Sequence, residues 1–351
     1  MKKITKILLG LVASISMTMS AIAGELTLTG SAIASYVIGG ADDAARKGIG
    51  ISNEFTMGAT GEMDNGFTWA YHIDFDPNAG GTVDQDDAGL AIGMGDMGTI
   101  GIYVSEGGLS KEYGYGIGAL GTGSDWAGVS AQIKGYDVSN NENIQYHLPA
   151  DLLPFGIGAK VAYAPESTEA DSQDKKSDGS IVGVSTDGEN ATHYQITAAP
   201  IDGLAVGADY YTTGSATGAY QKKESGNVYA KYTMGNLSAG YGINRVAPSV
   251  ASSAKYTADR IYLYEGESYG VQFDVNDALS ISYTQEKSER SQFGATASGT
   301  RTRNESQEDH MQVAYTMGGA TFGLAVVEAD DSDYVNSKEE KKTVFTMALA
   351  F

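Results

Sequence analysis

The last eleven residues, KKTVFTMALAF, carry a large apolar side chain at every second position from Phe345 to Phe351. In an extended chain Thr343, Phe345, Met347, Leu349 and Phe351 share one face, and Val344, Thr346, Ala348 and Ala350 share the other. The same period of two runs through FTWAYHIDF, where Phe67, Trp69, Tyr71, Ile73 and Phe75 oppose Thr68, Ala70, His72 and Asp74. It returns in FGIGAKVAY (Phe155, Ile157, Val161 and Tyr163 against Gly156, Gly158 and Lys160), in NVYAKYTM, in SYGVQFDVN and in DHMQVAYTM. Alternation of this kind predicts strands with one apolar face.

The breaks between such segments alternate in length. Short ones fall at 63–66, 95–98, 200–203, 234–236, 276–277 and 317–319, and long polar ones at about 39–47, 78–87, 106–142, 166–190, 213–225, 247–266, 287–308 and 330–340. The segments between them number sixteen: 25–38, 49–62, 67–76, 88–94, 99–105, 143–149, 155–165, 191–199, 204–212, 226–234, 237–246, 267–275, 279–287, 309–317, 320–328 and 341–351. An even count of sequentially joined antiparallel strands can close on itself. Short turns at one end and long loops at the other are the pattern of an outer-membrane barrel. Hydrocarbon offers no hydrogen-bond partners, so strands survive in it only as a closed sheet. The expected fold is therefore all-β, a 16-stranded antiparallel transmembrane β-barrel. Its inward face is rich in Gly, Ser, Thr, Gln and Asp, and a barrel this wide keeps a wet lumen.

Composition supports this and removes alternatives. With 46 Gly, 22 Tyr, 6 Pro and no Cys in 351 residues, the chain favours strands and tight turns and has no disulfide framework. Met1-Lys2-Lys3 and Lys6, an apolar stretch from Ile7 to Met19, and Ala21-Ile22-Ala23 read as a cleaved signal peptide over 1–23, leaving 24–351 as one barrel domain. Three of the 23 Lys+Arg and none of the 44 Asp+Glu lie in that leader, so 20 basic against 44 acidic residues remain, a net charge of −24. Nucleic acid is excluded as a partner, because binding phosphates needs Lys/Arg clusters.

One stretch suggests an enzyme. Gly116-Ile-Gly-Ala-Leu-Gly121 spells GxGxxG, with Asp137 downstream. A dinucleotide site needs a strand before this motif and a helix after it. The residues that follow, TGSDWAGVS, have no helical apolar stripe, and the motif sits in the longest break. It reads as a loop that turns tightly. His72 and Asp74 share a face, but nothing places a nucleophile beside them, so no catalytic residue is expected. The four histidines show no HxH or HxxxH spacing, so no histidine metal site is expected either. Asp84, Asp86 and Asp87, with Asp330, Asp331 and Asp333, are the candidates for Ca²⁺ in the outer loops, beside the simpler reading as solvated charge.

The start ELTLTGSA, the segment NEFTMGATGEMDNGF, the terminal Phe351 and the alternation of turns and loops together resemble bacterial general porins, closest to the alphaproteobacterial (Rhodobacter-type) group. The resemblance covers all of 24–351. It implies a homotrimer in the outer membrane, in contact with lipid and lipopolysaccharide, that passes small hydrophilic solutes. It also implies that the third external loop folds into the lumen and narrows the pore. On that loop Glu106, Glu112, Asp125 and Asp137 become the acidic side of a constriction. In the family an Arg/Lys cluster faces the acidic loop. Here the inward positions of the second and third strands are Glu54, His72 and Asp74, and the basic inward residues are Lys160 and Lys231. A weaker transverse field and a preference for cations are expected. Gly30, Ala32 and Ala34 on the lipid face of the first strand would let another subunit approach. A solute-specific porin, or an adhesin or structural barrel without an open channel, stands as the alternative.

Overall fold

The computed structural model describes residues 24–41, 46–77, 83–122, 135–149, 151–165, 190–214, 219–251, 260–293 and 301–351. Sixteen antiparallel strands close into one barrel. Numbered around it in chain order, they are β1 (Leu26–Ala41), β2 (Arg46–Glu62), β3 (Thr68–Pro77), β4 (Val83–Gly93), β5 (Thr99–Val104), β6 (Asn143–His147), β7 (Gly158–Ala164) and β8 (Ala191–Ala198). The second half is β9 (Leu204–Thr213), β10 (Glu224–Met234), β11 (Leu237–Ala247), β12 (Ile261–Asp274), β13 (Leu279–Phe293), β14 (Arg301–Met317), β15 (Ala320–Asp330) and β16 (Glu340–Ala350). Each strand pairs with its neighbours in sequence, and β16 returns to β1 from Ser31↔Ala350 to Ala41↔Glu340. No described helix is long and apolar enough to cross a membrane, which says nothing of crossing by strands.

Side chains sort by parity as the alternation requires. Tyr71, Ile102, Tyr194, Val228, Phe273, Met311, Tyr315 and Phe345 stand exposed on the outer face. Asn143, Gln195, Asn227, Asn244, Gln272 and Gln312 are buried on the inner one. Such a wall is greasy outside and polar inside. The short turns are tight: Gly318 and Gly319 both take positive φ (60° and 86°), as a two-residue hairpin turn demands.

All sixteen predicted segments become strands, but several bounds move. The predicted long break at 287–308 is mostly sheet, because β13 runs on to Phe293 and β14 begins at Arg301. Likewise β12 starts at Ile261 and β4 at Val83. The alternation persists there, but charges replace apolar residues on the outer face. Arg245 pairs with Glu265 (2.8 Å), Lys287 with Glu305 (2.9 Å) and Arg303 with Glu289 (3.2 Å) across adjacent strands. Each exposed pair contributes little by itself, so pairing of the backbone carries this rim. The predicted strand start at Phe155 is instead a 3-10 turn over Pro154–Gly156, with Phe155 at φ 62°. A two-stranded ribbon, Ala219–Gln221 against Val250–Ala251, sits outside the barrel sheet within two of the predicted long breaks.

Candidate pore constriction

The connection from β5 to β6 is the third long one. Its first limb, 106–122, runs along the inner wall and is fastened to it strand by strand. Gln145 of β6 donates to the Gly107 carbonyl, and Gln195 of β8 donates to that of Leu109 at 2.8 Å. The Lys111 amide donates to Asp209 of β9 at 2.6 Å, and Asn227 of β10 donates to Ser110 Oγ at 3.1 Å. Further along, the Tyr115 phenol donates to Glu286 of β13 at 2.5 Å. The amides of Gly118, Ala119 and Leu120 donate to Gln272 (3.3 Å), Ser282 (2.8 Å) and Gln312 (2.9 Å). Leu109, Tyr115, Ile117 and Ala119 are buried beneath this run. Wall glycines make the seat: a Cβ on Gly240 would stand 2.4 Å from the Tyr115 carbonyl oxygen and 2.9 Å from Ile117.

This arrangement settles the GxGxxG stretch. The backbone amides that would have to cradle a pyrophosphate are spent on wall side chains, and the described residues to Thr122 form no helix.

The sequence-predicted residues separate into two groups. Glu112, only 8 % exposed, joins both limbs of the loop to the wall: its carboxylate accepts from the Gly135 amide (2.8 Å) and from Asn244 (3.2 Å). Asp137 accepts from the amides of Leu109 (2.9 Å) and Ser110 (2.7 Å), and lies 3.3 Å from His193 Nδ1. Burial pushes the Asp137 carboxyl up, but His193 and the two amides outweigh it and hold it below the usual carboxylate range. Lys231, buried, donates to the Gly116 carbonyl. These three are anchors of the loop. Glu106 is partly exposed, and its carbonyl takes a hydrogen bond from Asn143 (3.1 Å). Asp125 lies outside the described residues.

The second group lines the wall of β2 to β4, away from the described loop contacts. Glu54 is exposed there. His72 and Asp74 of β3 meet Asp87 of β4, their ligand atoms within 4.8 Å of one another. His72 has room because its neighbour across the ladder is Gly89, where a Cβ would fall 2.3 Å from the ring. Neither β3 nor β4 contains a Lys or Arg. Lys160 of β7 faces inward opposite His147, near enough to Lys111 for the two ammonium groups to repel. The structure thus places basic groups on the β7 side and acidic groups on the β3–β4 side.

Of the Ca²⁺ candidates, Asp331 accepts from the Ser337 amide (2.5 Å) and Asp333 pairs with Lys338 (2.5 Å), so both are engaged within their own turn. Only Asp87 joins a three-ligand cluster among the described residues. The side chains of Asp84 and Asp86 lie outside the description.

Sequence reasoning does not single out the wall anchors Asp209, Gln272, Ser282, Glu286 and Gln312. Their inward parity and polarity are visible in the sequence, but their contact with a loop up to 192 residues away is not.

No protein-family model matches the chain, and no curated protein is similar to it in sequence. Solved structures are similar in shape. The anion-selective porin of Comamonas acidovorans superposes with a TM-score of 0.65 at 12% identity, covering 93% of this chain and 99% of that one. In-vitro folded OmpT, an outer membrane protein of Vibrio cholerae in its trimer form, gives 0.60 at 12% identity, covering 93% and 99%. OmpF of Salmonella typhi, in complex with daunomycin, gives 0.59 at 13% identity, covering 93% and 98%. At these identities the likeness is one of fold: the sixteen-stranded barrel of outer-membrane porins.

Proposed function

We propose that this chain is an outer-membrane porin: a water-filled channel through which small hydrophilic solutes and ions diffuse down their gradients. One observation carries the reading. The described first limb of the long loop, 106–122, is fastened along the inner wall from β6 to β14, and it engages polar side chains on every strand it crosses but β7. A barrel serving only to display surface loops has no use for such a device. A pore does, because the loop then sets the free cross-section.

Cation preference is part of the proposal. The acidic wall of Glu54, Asp74 and Asp87 faces no described arginine cluster, and the whole chain carries a net charge of −21. A homotrimer is supported by the small outward residues Gly30, Ala32 and Ala34, with Ile49 and Ile51 exposed at 87% and 67% on the adjoining strand. The charged outer rim on β11 to β14 suits contact with lipopolysaccharide headgroups. The leader-like residues 1–23, outside the description, suit export, and the segments ELTLTGSA and NEFTMGATGEMDNGF support the Rhodobacter-type group.

Planar-bilayer recording on the purified protein tests this. Stable open steps with a reversal potential on the cation side of a salt gradient are expected. A silent membrane would favour the adhesin or structural barrel, and anion selectivity would refute the charge assignment.

A further inference from the structure

Glu286 of β13 and Glu308 of β14 are direct partners across the ladder, and both side chains face into the barrel wall beneath the third loop. Both are 0 % exposed, and His310, two residues along β14 on the same face, is 1 % exposed. Ligand atoms from the three residues lie within 4.8 Å of one another. His310 Nε2 is 3.1 Å from Glu308 Oε2, while its Nδ1 is buried with no hydrogen-bond partner among the described residues. Tyr115 of the loop closes over the group through its 2.5 Å hydrogen bond to Glu286.

Carboxylates placed directly opposite each other in a ladder repel, and burial magnifies the cost unless a cation shares the site. In the tautomer whose Nε2–H donates to Glu308, Nδ1 is a buried electron-pair donor with no hydrogen-bond partner among the described residues, which is costly at this depth. One imidazole nitrogen with carboxylate oxygens suits zinc and its first-row neighbours; calcium and magnesium prefer all-oxygen shells. The spacing also fits. Ligand atoms of the three residues lie within 4.8 Å of one another, and bonds of about 2.0–2.1 Å in a tetrahedral site would draw them to roughly 3.3 Å. A carboxylate beside the imidazole is the arrangement that orients a metal-binding histidine.

We propose that Glu286, Glu308 and His310 form a binding site for a divalent first-row transition-metal ion, typified by Zn²⁺, capped by Tyr115, so that metal occupancy fixes the seating of the third loop on the wall. The assignment goes beyond the channel reading and does not depend on it, since metal is counted in detergent whether or not the pore conducts. The spacing rule that excludes histidine pairs within one strand does not apply here, because the ligands come from two paired strands.

The test is metal binding by the full barrel refolded in detergent with Zn²⁺ present throughout, because the site is closed once the loop is seated. After gel filtration, one zinc per chain is expected by elemental analysis. Substituting Co²⁺ should give visible d–d absorption of a low-symmetry nitrogen–oxygen site. Glu286→Gln with His310→Gln should weaken binding at least about 100-fold, since loss of outer-shell partners alone costs 10–100-fold. His72→Asn, which disables the half-buried His72, Asp74 and Asp87 cluster, should leave stoichiometry unchanged. Heat-modifiable migration confirms that each barrel is folded. If the double variant does not fold, Glu286→Gln alone gives the readout, and Tyr115→Phe should keep the stoichiometry while exchanging metal faster. Zinc retained equally by the ligand variants, lost with His72→Asn, or absent from wild type after refolding in its presence would overturn the site.

Discussion

The phenol of Tyr115 and the carboxylate of Glu286 meet at 2.5 Å although 171 residues separate them. The contact pins the first limb of the inserted loop to the wall. Tyr115→Phe keeps the ring's packing and removes only the donor, leaving a buried carboxylate short of one partner. A loss of about 1–3 kcal/mol follows from that kind of deletion, and the loop should fluctuate on its seat. Reversible denaturation in detergent should show the lower stability, and open-channel noise should rise. Unchanged noise would mean that the contact does not hold the loop. Burial first, and then the Glu286 charge, push the Tyr115 phenol far above its ordinary value. The latch is therefore present below pH 10, the ordinary phenol range, and should persist into stronger alkali before it deprotonates.

Asp137 gives the opposite sign. Its carboxyl is held below the ordinary range, so the stability it contributes is complete above about pH 4, the unfolded value, and is lost as pH falls through the depressed folded value. It collects two loop amides and the His193 ring, and that ring also lies 3.0 Å from Asp209. Acidification from pH 5 to pH 3 should therefore loosen the start of the loop and increase gating transitions in single-channel records. Asp137→Asn should gate often already at pH 7, lose on the order of 2 kcal/mol as charge-assisted bonds weaken, and respond less to acid. An equal acid response in both proteins would move the effect to other groups.

Much of this was legible beforehand, and the boundary between read and unread is physical. Trp69, Tyr71 and Phe345 announce lipid-facing rows, since apolar residues at period two have no other use in so polar a chain. The rims of β13 and β14 were not legible, because Lys287, Glu289, Arg303 and Glu305 replace the apolar outward residues while the backbone stays paired. On the loop, Glu112 and Asp137 were visible as charges, but a charge facing the pore and a charge spent on backbone amides look alike in sequence. What distinguishes them is Gly135, Asn244 and His193, brought in from the loop's return limb and two distant strands.

Gly30 and Phe351 extend the closing ladder of β1 and β16 by one further pair. Each donates its amide to the other's carbonyl, at 2.7 and 2.9 Å, and the Phe351 ring lies where a side chain on residue 30 would go, 2.7 Å from an ideal Cβ. The ring also meets Phe55 edge-on at 5.8 Å. Gly30→Val should displace the terminal ring, with an overpacking cost of about 1–3 kcal/mol. The yield of heat-modifiable barrel on refolding should fall, while Ala32→Val two residues along should refold as wild type. Normal refolding of Gly30→Val would show that the terminal ring is not fixed by this contact.

Selectivity is the last expectation. Asp74 and Asp87 face the lumen from β3 and β4, strands without a single Lys or Arg, while Lys160 stands inward on β7. A passing ion meets these charges in a water-filled lumen, where a unit charge at 4 Å is worth only about 1 to 4 kcal/mol. Even the lower figure biases permeation several-fold. Asp74→Asn with Asp87→Asn should cut the cation-to-anion permeability ratio several-fold, and Lys160→Gln should raise it. The two changes should shift the zero-current potential in opposite directions in a tenfold KCl gradient, and raising the salt should shrink both shifts because mobile ions screen the wall. Shifts of the same sign, or shifts that survive at high salt, would place the selectivity filter elsewhere than between β3–β4 and β7.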